Sequence, residues 1–239
     1  MTDKEVIKYQ RKVLVALSGR IDGFYLAGGT ALSLFYFRHR LSMDLDFFTR
    51  RFSDFKIKEI IKRIKSELKA RVALVGQVSE TGRARMAVYN VFFNGKASIK
   101  VDFVEDFIDI IKKPASVSGI NILSLEDIYI RKIFAIVGIA KKADAAGRVK
   151  FAGGRKDPKD FFDLYYLSHT FMPLSKFAKR YCDGTVREAI IHWFRTYDRM
   201  DIMGGILELK SDKKIDYKAM ERHFAGEIDS MLEDEVGGI

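Results

Sequence analysis

The sequence has one cysteine, Cys182, and three prolines, Pro114, Pro158 and Pro173, in 239 residues. One cysteine excludes an intramolecular disulfide and a multi-cysteine zinc site, and a chain without such staples fits a reducing compartment. The scarcity of proline goes with the absence of a Pro/Ser-rich linker, an internal repeat or a low-complexity tract. Long apolar runs are missing too. Ile133–Ala140 is closed off by Lys132 and Lys141, far short of the ~18 residues of a membrane span. Met1–Tyr9 carries acids and lysines where a signal peptide would carry an apolar run ending in a small-residue cleavage site. These absences together lead to the expectation of a soluble, cytoplasmic protein with no membrane partner.

What is present is a hydrophobic fraction of 48% and a net charge of +10. A chain of this length and composition buries a sizeable core in one or two domains. The charge is unevenly spread. Residues 1–122 carry 22 Lys and Arg against 13 Asp and Glu, whereas residues 123–239 carry 20 against 19. A positive field confined to one half fits a polyanionic partner, although a basic domain can also simply be soluble.

Periodicity divides the chain at the same place. Val6, Val13, Leu14 and Leu17 share a helical face over Asp3–Leu17, and Phe24–Ala27 reads as a short buried strand ending at Gly28-Gly29. Thr30 is in position to cap a helix reaching Arg38, and Asp44–Phe48 alternates acidic and apolar residues like a strand. Ile57, Ile60, Ile61, Ile64 and Leu68 form the apolar stripe of a basic amphipathic helix over residues 54–70. Val72–Val78, Arg85–Phe93 and Ser98–Val104 read as strands, the last two joined at Asn94-Gly95, a strong hairpin signal. After a short strand at Ile120–Leu123, Ser124-Leu125-Glu126-Asp127 has capping-box spacing and opens a helix over residues 125–143. Further helices are expected over 160–167, 174–180, 185–197 and 217–232, with an exposed loop at 144–156. The fold class is therefore α+β: a mixed sheet in residues 1–122 and a mainly helical half in 123–239.

The residues that carry chemistry concentrate in the first half. Glycines at a strand end allow close backbone approach to a phosphate, and the amides of the next helix start suit anionic oxygens; Gly28, Gly29 and Thr30 are so placed. Asp44 and Asp46, two apart on a strand, point the same way and can hold one or two Mg²⁺ ions. A lone Asp-x-Asp is usually a solvated strand end. Here Leu45, Phe47 and Phe48 make the strand half-buried, where carboxylates need a cation or hydrogen bonds. Asp102, between Val101 and Phe103, is the candidate third carboxylate. Two metals ~3.5–4 Å apart would activate an attacking oxygen and neutralise a leaving pyrophosphate. Trp193 reads as core. No Ser/His/Asp hydrolase elbow and no Walker-type loop is present.

The run Phe24-Tyr25-Leu26-Ala27-Gly28-Gly29-Thr30-Ala31-Leu32, followed by His39-Arg40-Leu41-Ser42-Met43-Asp44-Leu45-Asp46-Phe47-Phe48, resembles the AbiEii/AbiGii-toxin family of nucleotidyltransferases, relatives of the MenT-type toxins. Leu125-Glu126-Asp127-Ile128 leading to Lys132, then Arg155 and Lys159–Leu167, look like that family's later motifs in the same order. The resemblance spans residues 24–167. It implies a polymerase-β-like nucleotidyltransferase fold whose helical half completes the nucleotide pocket. It further implies Asp44 and Asp46 as metal ligands, Asp102 as third carboxylate, Lys132 as the cation on the NTP phosphates and Asp160 as an acid near the nucleotide. Asp163 would share that last role or brace its helix.

Two features stand apart from the pattern. Many nucleotidyltransferases carry Gly-Ser where this chain has Gly28-Gly29-Thr30, so either the Thr30 hydroxyl or backbone amides serve there. The basic residues Lys141, Lys142, Arg148, Lys150, Arg155 and Lys156 either grip an RNA backbone or form a solvated loop. Taken without the resemblance, Lys132 reads as a surface cation and Asp160 and Asp163 as acids complementing a helix dipole. His39 and Arg40 read as bracing the turn before Asp44. The implied activity is Mg²⁺-dependent transfer of NMP from an NTP to a hydroxyl, with RNA, a tRNA 3′ end, as acceptor and an antitoxin as partner. The rivals are transfer to a small molecule or protein, and a non-catalytic nucleotide- or RNA-binding module.

Overall fold

The computed structural model describes residues 1–80, 83–93, 97–143 and 149–237 and divides into two compact units, Met1–Ser124 and Leu125–Ile239. The first opens with α1 (Asp3–Leu17), whose start is fixed by a capping box: Thr2 Oγ1 accepts the Glu5 amide and the Glu5 carboxylate accepts the Thr2 amide. β1 (Tyr25–Ala27) leads into a short helix, α2 (Gly28–Ala31), which widens into a π-helical turn over Leu32–Tyr36. The expected Thr30 cap is corrected here. The helix begins two residues earlier, on Gly28 at φ +66, and the Thr30 hydroxyl is spent elsewhere.

β2 (Asp44–Thr49), α3 (Asp54–Leu68), β3 (Arg71–Val78), β4 (Met86–Phe93), β5 (Ala97–Glu105), β6 (Ala115–Val117) and β7 (Ile120–Ile122) complete this unit. The strands form one mixed sheet in the order β3-β4-β5-β2-β1-β7-β6, with β2 parallel to β5 and β1 parallel to β7. The Asn94-Gly95 hairpin turn lies outside the described residues. α1 packs on α3 and β5. Beneath them, Leu45, Phe47, Val101 and Phe103 are fully buried with Val13, Leu17 and Ile64. Phe103 is the centre of this layer, stacked 5.8 Å from Phe47 and edge-on to Phe24 and Tyr89.

The second unit comprises α4 (Leu125–Val137), β8 (Gly138–Ala143), β9 (Val149–Gly153), α5 (Pro158–Tyr166) with a π-helical turn at Leu167–Phe171, α6 (Leu174–Tyr181), α7 (Gly184–Thr196), α8 (Arg199–Leu207) and α9 (Tyr217–Val236). Two expectations change. The helix expected over 125–143 stops at Val137, because Gly138 takes φ +87 and turns the chain into the β8–β9 hairpin; a Cβ there would lie 2.0 Å from the Ala152 carbonyl. Consequently β9 replaces part of the expected loop, of which residues 144–148 lie outside the described residues. α8 has no counterpart among the expected helices, and it contains Gly204-Gly205, each glycine costly in a helix interior. Its start is capped by the Asp198 carboxylate, and a Cβ on Gly205 would strike Pro158 of α5 at 2.2 Å. Phe161 centres this unit's core, ringed by Trp193, Tyr197, Tyr217 and Phe224.

Phe103→Ala removes the ring on which three others pack. Chemical denaturation followed by circular dichroism is expected to give a loss of about 3–5 kcal/mol, the usual cost of truncating a buried phenylalanine.

Candidate active site

In β2 the side chains alternate, so that Leu45 and Phe47 face the core and Asp44 and Asp46 face the other way. The parallel register sets Asp44 beside Lys100 and Asp46 beside Asp102 on β5. Asp44, Asp46 and Asp102 therefore share one sheet face. Lys100, which the sequence did not single out, lies among them: its Nζ is 3.2 Å from Asp44 Oδ2 and 3.1 Å from Asp102 Oδ2.

The start of β2 is pinned from two sides. The Thr30 hydroxyl, fully buried, bonds the Ser42 hydroxyl and donates to the Asp44 carbonyl, while Gln10 Nε2 on α1 donates to the Ser42 and Asp44 carbonyls at 2.9 and 3.3 Å. Gly28 lies directly against Asp46: a Cβ at that position would be 2.5 Å from Asp46 Oδ2. The glycine thus makes room for a carboxylate as well as for the turn. His39 and Arg40 are buried in the approach to β2, where the Ser33 hydroxyl donates to the Arg40 carbonyl and Arg40 Nη1 to that of Leu41.

Burial sets the electrostatics of this face. Asp102 is 8% exposed, and its desolvation pushes the carboxyl above the ordinary range even though Lys100 bonds it and attracts it; the Asp44 charge adds to the push. For Lys100 burial acts downward, but the charges and hydrogen bonds of Asp44 and Asp102 outweigh it and hold the ammonium above its usual value. Asp102 Oδ1 is buried without a hydrogen-bond partner, which is costly for a carboxylate oxygen. Among the described residues no three acid, histidine or cysteine side chains converge into a protein-only metal cage. Hard carboxylate oxygens with an unmatched lone pair nonetheless suit Mg²⁺, which is commonly held by one or two carboxylates together with water and substrate phosphates.

The second unit assembles a different charged group. α4 presents Lys132, and α5, whose start is capped by Asp157, presents Asp160 and Asp163 three residues apart on one face. Lys132 Nζ lies 2.7 Å from Asp160 Oδ1 and 2.6 Å from Asp163 Oδ2, and Arg155 Nη2 lies 3.0 Å from Asp160 Oδ2. Lys132 is 7% exposed and the two acids 2% and 0%. Lys132 is therefore no surface cation, while Asp160 lies in the first turn of α5, where the helix dipole favours an acid, and is also part of the buried triad. Trp193 is half-buried, with Tyr197 stacked against it at 5.6 Å. Ser168 Oγ lies 2.7 Å from His223 Nε2, yet it is buried and accepts the Leu174 amide, a structural arrangement.

A mixed sheet carrying carboxylates on adjacent parallel strands, followed by a helical unit, defines the α+β fold of a polymerase-β-like nucleotidyltransferase. The chain belongs to the family described as nucleotidyl transferase AbiEii toxin, type IV toxin-antitoxin system, whose model matches residues 12–235. The enzyme is thus a nucleotidyltransferase of a toxin family. Its fold is similar to that of JHP933 from Helicobacter pylori, with TM-score 0.59 and 16% identity over 98% of this chain and 95% of the other. A putative nucleotidyltransferase from H. pylori matches with TM-score 0.59 and 16% identity over 97% and 95%. MenT4, the nucleotidyltransferase toxin Rv2826c from Mycobacterium tuberculosis H37Rv, matches with TM-score 0.54 and 12% identity over 97% and 84%. No curated protein sequence matches the chain. Among the described residues, no helix is long and apolar enough to cross a membrane.

Removing the ammonium would take the shared cation from two buried carboxylates. Lys132→Ala is expected to cost about 3–5 kcal/mol in urea denaturation, whereas Lys132→Met combined with Asp160→Asn and Asp163→Asn recovers most of that loss.

Proposed function

We propose that this protein is a Mg²⁺-dependent nucleotidyltransferase that moves an NMP from an NTP to a hydroxyl of RNA, a tRNA 3′ end, and that a cognate antitoxin restrains it in the cytoplasm. The observation that carries the reading is the carboxylate face of β2 and β5, with the unpartnered, buried oxygen of Asp102. Asp44, Asp46 and Asp102 would hold the ion. Mg²⁺ bound there supplies positive charge to the triphosphate oxygens and favours deprotonation of the acceptor hydroxyl.

The chain's own residues supply position and polarity. Thr30 and Gln10 fix the strand that carries Asp44, and Gly28 leaves the space that the Asp46 carboxylate occupies. Gly28, Gly29 and Thr30 form the turn assigned to the nucleotide. Asp102, beside Asp46 on the same sheet face, is placed to receive or share the acceptor proton or to hold the ion. Lys132 and Asp160 belong to the catalytic set by resemblance, with Asp163 on the nucleotide. In the triad Lys132 meets two carboxylates, so contact with a triphosphate requires exchanging one of them for a phosphate oxygen. The surplus of positive charge in residues 1–122 favours RNA over a cationic small molecule as acceptor.

Incubation with each α-labelled NTP, Mg²⁺ and total tRNA is expected to label tRNA with one or more NTPs, and Asp44→Ala/Asp46→Ala to abolish the label. Mg²⁺-dependent NTP binding without labelled tRNA would remove RNA as acceptor; no NTP binding would remove the whole reading. Lys100 gives a second test, because its ammonium lies between two of the carboxylates assigned to the ion. Lys100→Met is expected to lower the melting temperature in EDTA and to enlarge the upward shift produced by Mg²⁺ alone; an Mg²⁺ shift equal to that of the unaltered protein would separate Lys100 from the ion.

A further inference from the structure

A cleft in the first unit lies between α1, α3 and the end of β4, and holds about 840 Å³. Its walls carry Lys4, Lys8, Arg11 and Lys12 from α1 with Arg63 and, just past α3, Lys69; the acid that lines it, Glu67, pairs with Arg63 at 3.0 Å. Lys4, Lys8 and Arg11 follow one another at helical i, i+4, i+7 spacing, and all three are exposed. They form a positive stripe along a single helix face.

This stripe works against the fold that bears it. Like charges one helical turn apart disfavour the helix. Lys4 and Lys8 also lie in the N-terminal half of α1, where the helix dipole favours anions, and the last turn, where cations would be welcome, has none. Glu5, one turn from Lys8, offsets part of this cost, and the row that remains carries a net positive charge suited to a bound polyphosphate.

The cleft lies on the helix-covered side of the sheet, opposite the carboxylates, at the end where β2 begins. Tyr9 lines it, stacked 4.3 Å on Phe93, and the next residue, Gln10, donates to the Asp44 carbonyl. On the other wall Phe92 lies two residues along β4 from Asn90, which pairs with Lys100, so Phe92 shares the sheet face of Lys100 and Asp102. Arg71 covers the Phe92 ring at 3.8 Å and extends the positive surface toward that face.

We propose that the α1–α3 cleft is the track for the sugar-phosphate backbone of the RNA whose end is modified at Asp44, Asp46 and Asp102. The proposal rests on the reading of RNA as acceptor and adds where the RNA is held. Lysines on both walls suit a nucleic acid, since protein interfaces deplete lysine at their centres whereas nucleic-acid interfaces are strongly positive. The contacts are to phosphates, so they position the strand without reading its sequence.

The test measures fluorescence anisotropy of fluorescein-labelled tRNA from 50 to 300 mM KCl. It uses Asp44→Ala/Asp46→Ala protein, so that binding is read without transfer. Adding Lys4→Gln, Lys8→Gln and Arg11→Gln is expected to weaken binding at least tenfold at 100 mM KCl. The slope of log affinity against log salt should fall by about two to three, the loss of three phosphate contacts. The same three changes in the otherwise unaltered protein should leave the melting temperature unchanged or raised, with NTP binding intact. An unchanged slope and affinity would overturn the proposal. So would unchanged tRNA binding with lost binding of poly-glutamate, which would give the cleft to an acidic protein. Cleft-dependent tRNA binding with no transfer by the intact protein would support the cleft and remove RNA as the acceptor.

Discussion

The parallel pairing of β2 with β5 is the constraint on which the first unit's chemistry depends. Its register decides that Asp46 lies beside Asp102 and Asp44 beside Lys100, and a slip of β2 by one residue would turn Asp44 and Asp46 toward the core. The same pairing buries Leu45 and Phe47 against Val101 and Phe103 on the opposite face. Packing on one side of the sheet therefore holds like charges together on the other. The helices contribute at the strand's beginning, where α1 reaches in through Gln10 and the turn after β1 through Thr30.

Much of this was legible in local pattern. The apolar spacing of α1 marks both of its ends, and the acid-apolar alternation of β2 tells which residues share a face. Asp102 stood out because an acid between Val101 and Phe103 contradicts its surroundings. Lys100 gave no such signal: a lysine on a strand is ordinary, and its meaning comes from a register with a strand over fifty residues away. The helix drawn past Val137 failed for a related reason. Ile139 and Ala140 continue the apolar run, and a single glycine at positive φ ends it. α8 was obscured by Gly204-Gly205, whose second glycine is required by the close approach of Pro158 and not by a turn.

The two units handle charge in different ways. On the sheet face the carboxylates are more numerous than the ammonium between two of them, and Asp102 keeps an oxygen without a hydrogen bond. That arrangement is poor for stability and suited to receiving a cation, the usual compromise where a site is built for a ligand. In the helical unit Lys132 and Arg155 match Asp160 and Asp163 charge for charge, and Lys132 and both acids are buried. Sequence motifs do not distinguish these cases, since both consist of conventional catalytic residue types.

The buried triad has a consequence for how a toxin of this kind loses its toxicity. Selection for survival favours any lesion that silences the enzyme, but lesions differ in what they leave behind. A change at Asp44 alters a half-exposed carboxylate and leaves the buried core of its unit untouched. A change at Lys132 disturbs the interior of a helical bundle, so a larger share of the protein is unfolded and open to proteolysis. Escape through the sheet and escape through the helices would thus differ in protein abundance, even where the loss of activity is the same.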